Sequence, residues 1–461
     1  MSRRFDHYMV LTQSEPRRVL LLPSERGFTV PEWEPEDGVW IQLQARVTNN
    51  FASQALGLPV TLLEAQIGSL VKSNGRRVKV YFLEGHDPAW QQPEDSLWVG
   101  LPDLAGTNLA VPEMQPLLEK WLTGPAKAKP GQPPAPGWIF HGWFDEVEAW
   151  VRQKLEAQGI HLTERPEQLK CWSISCLLRF PTDQGNYFFK ATPQVFQKEP
   201  VFTAFLAEQY PDLVPQLAAL DADRGWLLMP DFQAKDIREI NDITLWERAV
   251  RRYARFQVDS VGMSGILLEK GCRDRRLERL SAQFEAVAYD TPRLVPNPEA
   301  GLTREEIRQV TDLIPVIRNQ VAELAAFGLP DTIIHGDLNS NNIALTTSGE
   351  IIYYDWTDLS ISHPFFDLDA LLEWGAPFED EIPGWQRRIR DAYLGEWTEF
   401  LPMPELVRAF ELSARLAIMV QALNYHWIVT RIEESGRWEF GNDVPYYIKR
   451  LLEFQPGTFQ D

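Results

Sequence analysis

The chain is poor in whatever would cross-link it, anchor it in a membrane or draw it to a polyanion. Only Cys171, Cys176 and Cys272 occur among its 461 residues. An odd, scattered set of this kind argues against a disulfide framework and against a zinc site. No apolar run of about eighteen residues is present, the length a membrane helix needs. Met1-Ser2-Arg3-Arg4-Phe5-Asp6 leads into no long apolar stretch either, so a cytoplasmic protein is expected. Positive charge is scarce, with 45 Lys and Arg against 65 Asp and Glu and a net charge of −20. That balance disfavours nucleic acid and anionic membranes as partners. No glycine-rich phosphate loop is evident.

What the chain has is 44% hydrophobic residues and length for two or three domains. Its most informative stretch is Ile333-Ile334-His335-Gly336-Asp337-Leu338-Asn339-Ser340-Asn341-Asn342, followed by Ile351-Ile352-Tyr353-Tyr354-Asp355-Trp356. An apolar run delivers Asp337 onto a polar loop, and Asn342 follows five residues later. A second apolar run ends in Asp355, thirteen residues past the Asn. Phosphoryl transfer needs a hydroxyl held in line with the γ-phosphate and charge neutralised on the phosphate oxygens. Asp337 suits the base. Mg²⁺ takes hard oxygen ligands and keeps several waters, so Asn342 and Asp355 suffice as its protein ligands if the second strand lies beside the first. His335, beside a glycine in a tight loop, reads as a backbone hydrogen-bonding residue rather than a proton carrier.

The motif His335-Gly336-Asp337-Leu338-x-x-x-Asn342, with Asp355-Trp356 and His363-Pro364-x-x-Asp367-Leu368, resembles the signature of the aminoglycoside phosphotransferase family, relatives of choline and homoserine kinases. The resemblance implies an α+β, bilobal protein-kinase-like fold with a small β-rich N-lobe and a larger helical C-lobe. It implies Asp337 as catalytic base, and Asn342 and Asp355 as Mg²⁺ ligands. Protein kinases usually have Arg at the Gly336 position, Lys at that of Asn339 and Phe-Gly at Trp356-Thr357. The departure argues for a small-molecule substrate. Asp367 precedes an apolar helix and reads as its cap, or as a tie for the catalytic loop, rather than as a third metal ligand.

A kinase fold needs a nucleotide-anchoring Lys upstream. Cys171 to Phe180 reads as one strand, Pro181-Thr182-Asp183-Gln184-Gly185 as a turn and Asn186 to Ala191 as a second strand. Lys190 ends that hairpin, where the family's Lys reaches the α- and β-phosphates. Its acidic helical partner is expected at Glu199, with Glu208 as the alternative, because Lys198-Glu199-Pro200-Val201 opens a helix running to Tyr210. Trp172-Ser173-Ile174-Ser175 is similar to the family's serine-bearing nucleotide loop, so Ser173 and Ser175 are candidate phosphate contacts. Gly225 to Asp231 reads as a strand entering the interlobe linker. In the family this stretch presents backbone groups to adenine, with Met229 packing nearby. The donor is ATP or GTP, since hinge contacts are mostly backbone.

Beyond the hinge the pattern is helical, over Ile243–Val258, Leu277–Val287, Thr303–Phe327, Gln386–Leu394 and Pro404–Glu433. Thr303-Arg304-Glu305-Glu306 begins the third of these as a capping box. From Asp358 to the end there are 18 acidic and 9 basic residues. An acidic wall suits a cationic acceptor, although a solvated acidic surface explains the same count. Trp374, Trp385, Trp397 and Trp427 fall in this part and read as core, with stacking on sugars or cations as the alternative.

The expected organisation is a domain over 1–122, a Pro/Gly/Ala-rich linker over 123–137, an N-lobe over 138–232 and a helical C-lobe over 233–461. In the first domain Arg18–Pro23, Val60–Leu63, Val78–Leu83 and Ser96–Val99 read as strands, with helices at Phe51–Leu56 and Met114–Leu122. That order resembles a Nudix domain without its glutamates, because Asn50-Phe51 and Gln54-Ala55 stand at the metal-binding positions. No pyrophosphohydrolase activity is expected of it. Capping the kinase lobes, binding a ligand and making a homodimer are the roles left open. For the whole chain, transfer of a γ-phosphate to a hydroxyl of an aminoglycoside, sugar or amino alcohol is the leading reading. A nucleotide-binding sensor or scaffold without turnover is the alternative, disfavoured because Lys190, Asp337, Asn342 and Asp355 are all present.

Overall fold

The computed structural model describes residues 5–34, 44–124, 133–297, 299–373 and 376–455. They form two compact units. The first takes the chain up to Gln197, with Ala218–Asp231 and Ile432–Trp438, and the second takes Lys198–Leu217, Phe232–Arg431 and the chain from Glu439. Residues 125–132 of the expected linker, and Trp374, lie outside the described residues.

The first unit opens with strands β1 (Phe5–Ser14), β2 (Arg17–Ser24), β3 (Gly27–Thr29) and β4 (Glu32–Trp33). Helix α1 (Gln44–Leu56), β5 (Val60–Val71), β6 (Arg77–Gly85), β7 (Leu97–Val99), α2 (Leu101–Leu104) and α3 (Gln115–Thr123) follow. The seven strands make one sheet, ordered β3-β2-β1-β6-β5, with β4 on β1 and β7 on β2. Here β1 and β6 run parallel, with Leu11 opposite Leu83. A parallel central pair must be covered on both faces, so both strands are apolar along most of their length. Tyr8, Val10, Val80 and Phe82 face the core that holds Leu118 and Trp121 of α3. Met9, Leu11, Tyr81 and Leu83 face the core that holds Ala52 and Leu56 of α1. The expected strands and both helices are present; β5 and α1 run well beyond the spans read, β7 is one residue shorter and α3 is shifted by one, and Gly57 follows α1 with φ +67°. The strand β1 was not anticipated.

Helix α4 (Trp143–Glu156) leads to a second sheet of β8 (Glu167–Trp172), β9 (Ser175–Thr182), β10 (Gly185–Ala191), β11 (Ala219–Asp221) and β12 (Trp226–Pro230). Its order is β11-β12-β10-β9-β8. The hairpin carrying Lys190 is as expected, but Cys171–Phe180 is not one strand. Cys171 and Trp172 end β8, the chain turns at Ser173-Ile174, and Cys171 pairs with Cys176 across that turn. Alternation alone does not show a two-residue turn without Gly or Asn. An aromatic cluster holds α4 to the sheet: Trp150 meets Trp226 edge-on at 5.5 Å, and Phe189 meets Trp226 at 5.4 Å.

The two sheets share one core, which runs from Met9 and Leu62 through Cys176 and Phe180 to Trp226. Gln168 of β8, 3% exposed, sews them together. Its Oε1 accepts from the Leu62 N–H and from Asn49 Nδ2, both at 2.8 Å, and its Nε2 donates to the Leu62 carbonyl at 2.9 Å. Replacing it by Ala strands the backbone polar groups of Leu62 in an apolar seam, at about 1–3 kcal/mol for each group left unpaired. Gln168→Ala should therefore lower the urea midpoint of the full chain. An unchanged midpoint would show that water or a neighbour takes over these bonds.

The second unit contains α5 (Glu199–Gln209), β13 (Ala234–Asp236), α6 (Ile243–Asp259), α7 (Ser264–Glu269), β14 (Arg273–Arg275), α8 (Leu277–Ala288), α9 (Thr291–Leu294) and α10 (Arg304–Ala325). After these come β15 (Thr332–Ile334), β16 (Ile343–Thr346), β17 (Ile351–Tyr353), β18 (Ser360–Ser362), α11 (Leu368–Glu373), α12 (Trp385–Leu394), α13 (Met403–Arg431) and α14 (Asp443–Glu453). The α+β class, strand-rich first and helical afterwards, is as expected. Thr303 and Glu306 form the anticipated capping box. The face read for α6, with Leu245, Trp246, Ala249, Val250, Tyr253 and Phe256, is buried. Trp385 and Trp397 are core, as expected. Trp427 is half-buried and carries the Arg273 guanidinium 4.5 Å above its ring.

Candidate active site

Two three-stranded sheets in the second unit set out the motif residues, β13-β16-β17 and β14-β18-β15. The strand before Asp337 (β15) pairs with β18, while the strand before Asp355 (β17) pairs with β16. The expectation that those two apolar runs lie side by side is thus corrected. Asn342 is what brings the carboxylates together. It immediately precedes β16, whose Ile343 lies opposite Tyr353, and its carbonyl accepts from the Tyr354 N–H at 3.1 Å.

The loop from His335 to Asn342 is held from below by Asp367, a side chain 2% exposed. Its Oδ2 accepts the His335 N–H at 2.7 Å and the Tyr253 hydroxyl, and its Oδ1 accepts the Gly336 N–H at 2.8 Å. Burial pushes this carboxyl above the usual carboxylate range, and the hydrogen bonds pull it back. Asp367 therefore ties the loop, one of the two structural roles read for it. His335 Nε2 lies 2.9 Å from the Tyr354 carbonyl, the backbone role expected of it, and its ring packs against Trp356 at 4.6 Å.

Gly336 has φ +82°, and a Cβ there would come within 2.3 Å of the Asp358 carbonyl oxygen. Gln421 Nε2 donates to the Gly336 carbonyl at 3.1 Å. This is why the position holds neither Arg nor any other side chain: the left-handed backbone and the close approach both require glycine.

Asp337 is half-buried, with Oδ1 accepting from Asn339 Nδ2 and Oδ2 from Asn342 Nδ2, each at 2.9 Å. Burial first, then the charges of Asp358 and Asp355, push its carboxyl up to about 7 against these two bonds. Asp355 has left-handed backbone (φ +65°, ψ +60°), uncommon outside glycine, and accepts from the Thr357 hydroxyl. A non-glycine residue held there marks a site where packing overrides local preference. Asp358 takes a 2.8 Å ion pair from Arg273. The arrangement offers one amide oxygen and one carboxylate as hard donors beside a second carboxylate. Among the described residues no three His, Cys, Asp or Glu side chains are grouped to hold a metal. That donor set fits Mg²⁺, which keeps most of its waters, better than it fits Zn²⁺ or Ca²⁺.

Lys190, 9% exposed, lies in β10 opposite Leu177 and Leu227. Met229 is on the adjoining strand opposite Phe188. Ser173 and Ser175 flank the β8–β9 turn. Ser175 Oγ accepts from Trp172 Nε1 at 2.6 Å, and Ser173 Oγ lies 3.5 Å from the Gly436 carbonyl. These four residues belong to the first unit. Glu199, 3% exposed, stands in the first turn of α5 in the second unit.

Residues the sequence did not single out complete the surroundings of Asp337. The rings of Tyr425 (α13) and Tyr447 (α14) stack at 5.2 Å and 19°. Burial raises both hydroxyls, and the negative charge of Asp337 adds to the effect on each. Asp443, at the start of α14, is pushed up to about 7 by burial. They come from helices about ninety residues or more beyond the motif, and no local pattern marks them.

Geometry and sequence together define a small-molecule phosphotransferase. Residues 179–403 match the sequence model of the phosphotransferase enzyme family. No curated protein matches the chain. Solved structures similar to it include a choline kinase from Streptococcus pneumoniae, 14% identical with a TM-score of 0.46, over 67% of this chain and 100% of that one. An ethanolamine kinase from Plasmodium vivax is 11% identical with a TM-score of 0.48, over 74% and 94%. A spectinomycin phosphotransferase in complex with ADP and spectinomycin is 13% identical with a TM-score of 0.41, over 66% and 98%. Among the described residues no helix is long and apolar enough to cross a membrane.

Gly336→Ala tests the loop geometry. The added methyl must displace the Asp358 carbonyl or the loop, and a shift of about 1 Å at a reacting group can cost on the order of 10²-fold in rate. Phosphotransfer should fall by about that factor while the full chain stays folded. Undiminished phosphotransfer would show that the loop tolerates the displacement.

Proposed function

We propose that the chain transfers the γ-phosphate of ATP, or of GTP, to a hydroxyl of a small, cationic molecule, with Asp337 as the base. The observation that carries this reading is the pair of amide hydrogen bonds from Asn339 and Asn342. They aim a half-buried carboxylate beside Asp355. Asp337 would accept the acceptor's hydroxyl proton as the new O–P bond forms and the bond to the departing nucleoside diphosphate breaks. Asn342 and Asp355 would hold Mg²⁺, which when bound neutralises charge on the phosphate oxygens. Lys190 is assigned to the α- and β-phosphates, and Glu199 to orienting it. Ser173 and Ser175 are assigned to the phosphate-facing turn, and Met229 to the adenine edge.

A cationic acceptor is supported by the stacked Tyr425 and Tyr447 with Asp337, Asp358 and Asp443 near them, since aromatic faces and carboxylates both attract a cation. The N-terminal domain is assigned no hydrolytic role. Helix α1, Gln-Ala-Arg-Val-Thr-Asn-Asn-Phe-Ala-Ser-Gln-Ala-Leu, contains no acidic residue that could bind a metal.

Thermal stability with ATP or GTP, with and without Mg²⁺, is the first test. A ligand at a hundred times its dissociation constant adds about 2.7 kcal/mol, visible as a higher melting temperature. Asp337→Ala should keep the Mg²⁺-dependent shift and lose turnover, whereas Asp355→Ala should lose the shift itself. Turnover in the first variant would remove Asp337 as the base. A full shift in the second would remove Asp355 from the metal site.

A further inference from the structure

The N-terminal sheet carries a cavity that takes no part in this chemistry. It has a volume of about 370 Å³, within the range of small-ligand pockets. It sits where β1 ends and where the chain leaves β6 for β7. Leu11 and Leu58 form its apolar floor. The floor is drawn close because position 85 is glycine: a Cβ there would come 2.6 Å from Leu58 Cδ1.

The walls are chemically distinctive. Trp90 and Trp98 line the cavity, both partly exposed and packed on the core below. Gln13, Gln92 and Asp87 supply its longer polar side chains. Among the described residues no Lys, Arg or His lines it. A phosphate or carboxylate ligand would meet the Asp87 carboxylate and no cation among them, which disfavours a nucleotide or an organic acid.

The loop is held by its own hydrogen bonds. Trp90 Nε1 donates to the Leu56 carbonyl at 2.7 Å, which fixes the indole. Asp87 Oδ1 accepts the Ala89 N–H at 2.9 Å, and Gln92 Nε2 donates to the Ser96 carbonyl at 3.1 Å. Asp95 is held at φ +61°, unusual for a residue with a side chain. Indole faces are electron-rich and attract the polarised C–H groups of a saturated ring. Carboxylate and amide side chains each present two polar atoms, matching neighbouring hydroxyls.

From these walls we infer that the N-terminal domain binds an uncharged, polyhydroxylated ring, a pyranose or pyranoside, between Trp90 and Trp98. Such a pocket gives the domain a binding role that needs none of the glutamates missing from α1.

The test is tryptophan emission of the full chain titrated with methyl α-glucopyranoside, methyl β-galactopyranoside and N-acetylglucosamine, with adenosine as the planar, aromatic contrast. At least one sugar should give a saturable change. Its dissociation constant should rise about tenfold or more in Trp98→Ala and in Gln13→Ala, the loss of one stacked ring or one well-placed hydrogen bond. Gln13 is exposed, so that variant keeps the fold if Trp98→Ala does not. No saturable change with any of the three sugars overturns the inference. So does unaltered affinity in both cavity variants, or adenosine binding more tightly than every sugar.

Discussion

The hydrogen bonds of the Asp367 carboxylate are what the rest of the site depends on. One buried side chain accepts from the backbone of His335 and Gly336 and from the hydroxyl of Tyr253. It thereby joins α6, the loop from His335 to Asn342 and the start of α11. With its floor fixed, the loop can afford a glycine at φ +82° pressed on the Asp358 carbonyl. That contact sets the distance between the Asp337 segment and the Asp355 segment. A buried carboxylate left without partners would be costly, so the donors and the acid depend on one another. Structural acids of this kind are easily mistaken for metal ligands in a motif. Its partners, two backbone amides and a phenol, distinguish them.

Around that anchor the charges are arranged unevenly. Asp337, Asp355 and Asp358 lie close enough to raise the affinity of Asp337 for a proton. Asp358 takes its ion pair from the Arg273 guanidinium, which lies over the Trp427 ring. If Mg²⁺ and a cationic acceptor bind as proposed, their charge would offset these carboxylates and lower the proton affinity of Asp337. The acidic composition of the C-terminal part is not all solvated surface: Asp367 and Asp369 are buried.

The first unit shows a different constraint. Its two sheets could have been independent domains, as the proline-rich segment at 125–132 suggests. Instead Gln168 and a continuous apolar core join them. A glutamine inside a β-strand carries no signal of such a role. Nor did the Ser173-Ile174 turn announce itself, since neither residue is a usual turn former. Where the residues themselves carry conformational preference, reading them worked: Gly57 ended α1, Thr303 and Glu306 capped α10, and Val78–Leu83 formed the central strand.

What the chain determined by itself is local chemistry in order. It placed an acid after an apolar run, an amide five residues on and a second acid after another apolar run, with a lysine at the end of an upstream hairpin. Short-range preferences and motif spacing encode these, because they depend on neighbours in sequence. The tertiary structure alone decided that β15 pairs with β18 rather than with β17. It also decided that Tyr425 and Tyr447 come to stand by Asp337, and that Trp90 and Trp98 line one cavity. Those outcomes rest on contacts between residues far apart along the chain. Such contacts are selected by how whole elements bury their apolar faces, and no window of sequence contains both partners.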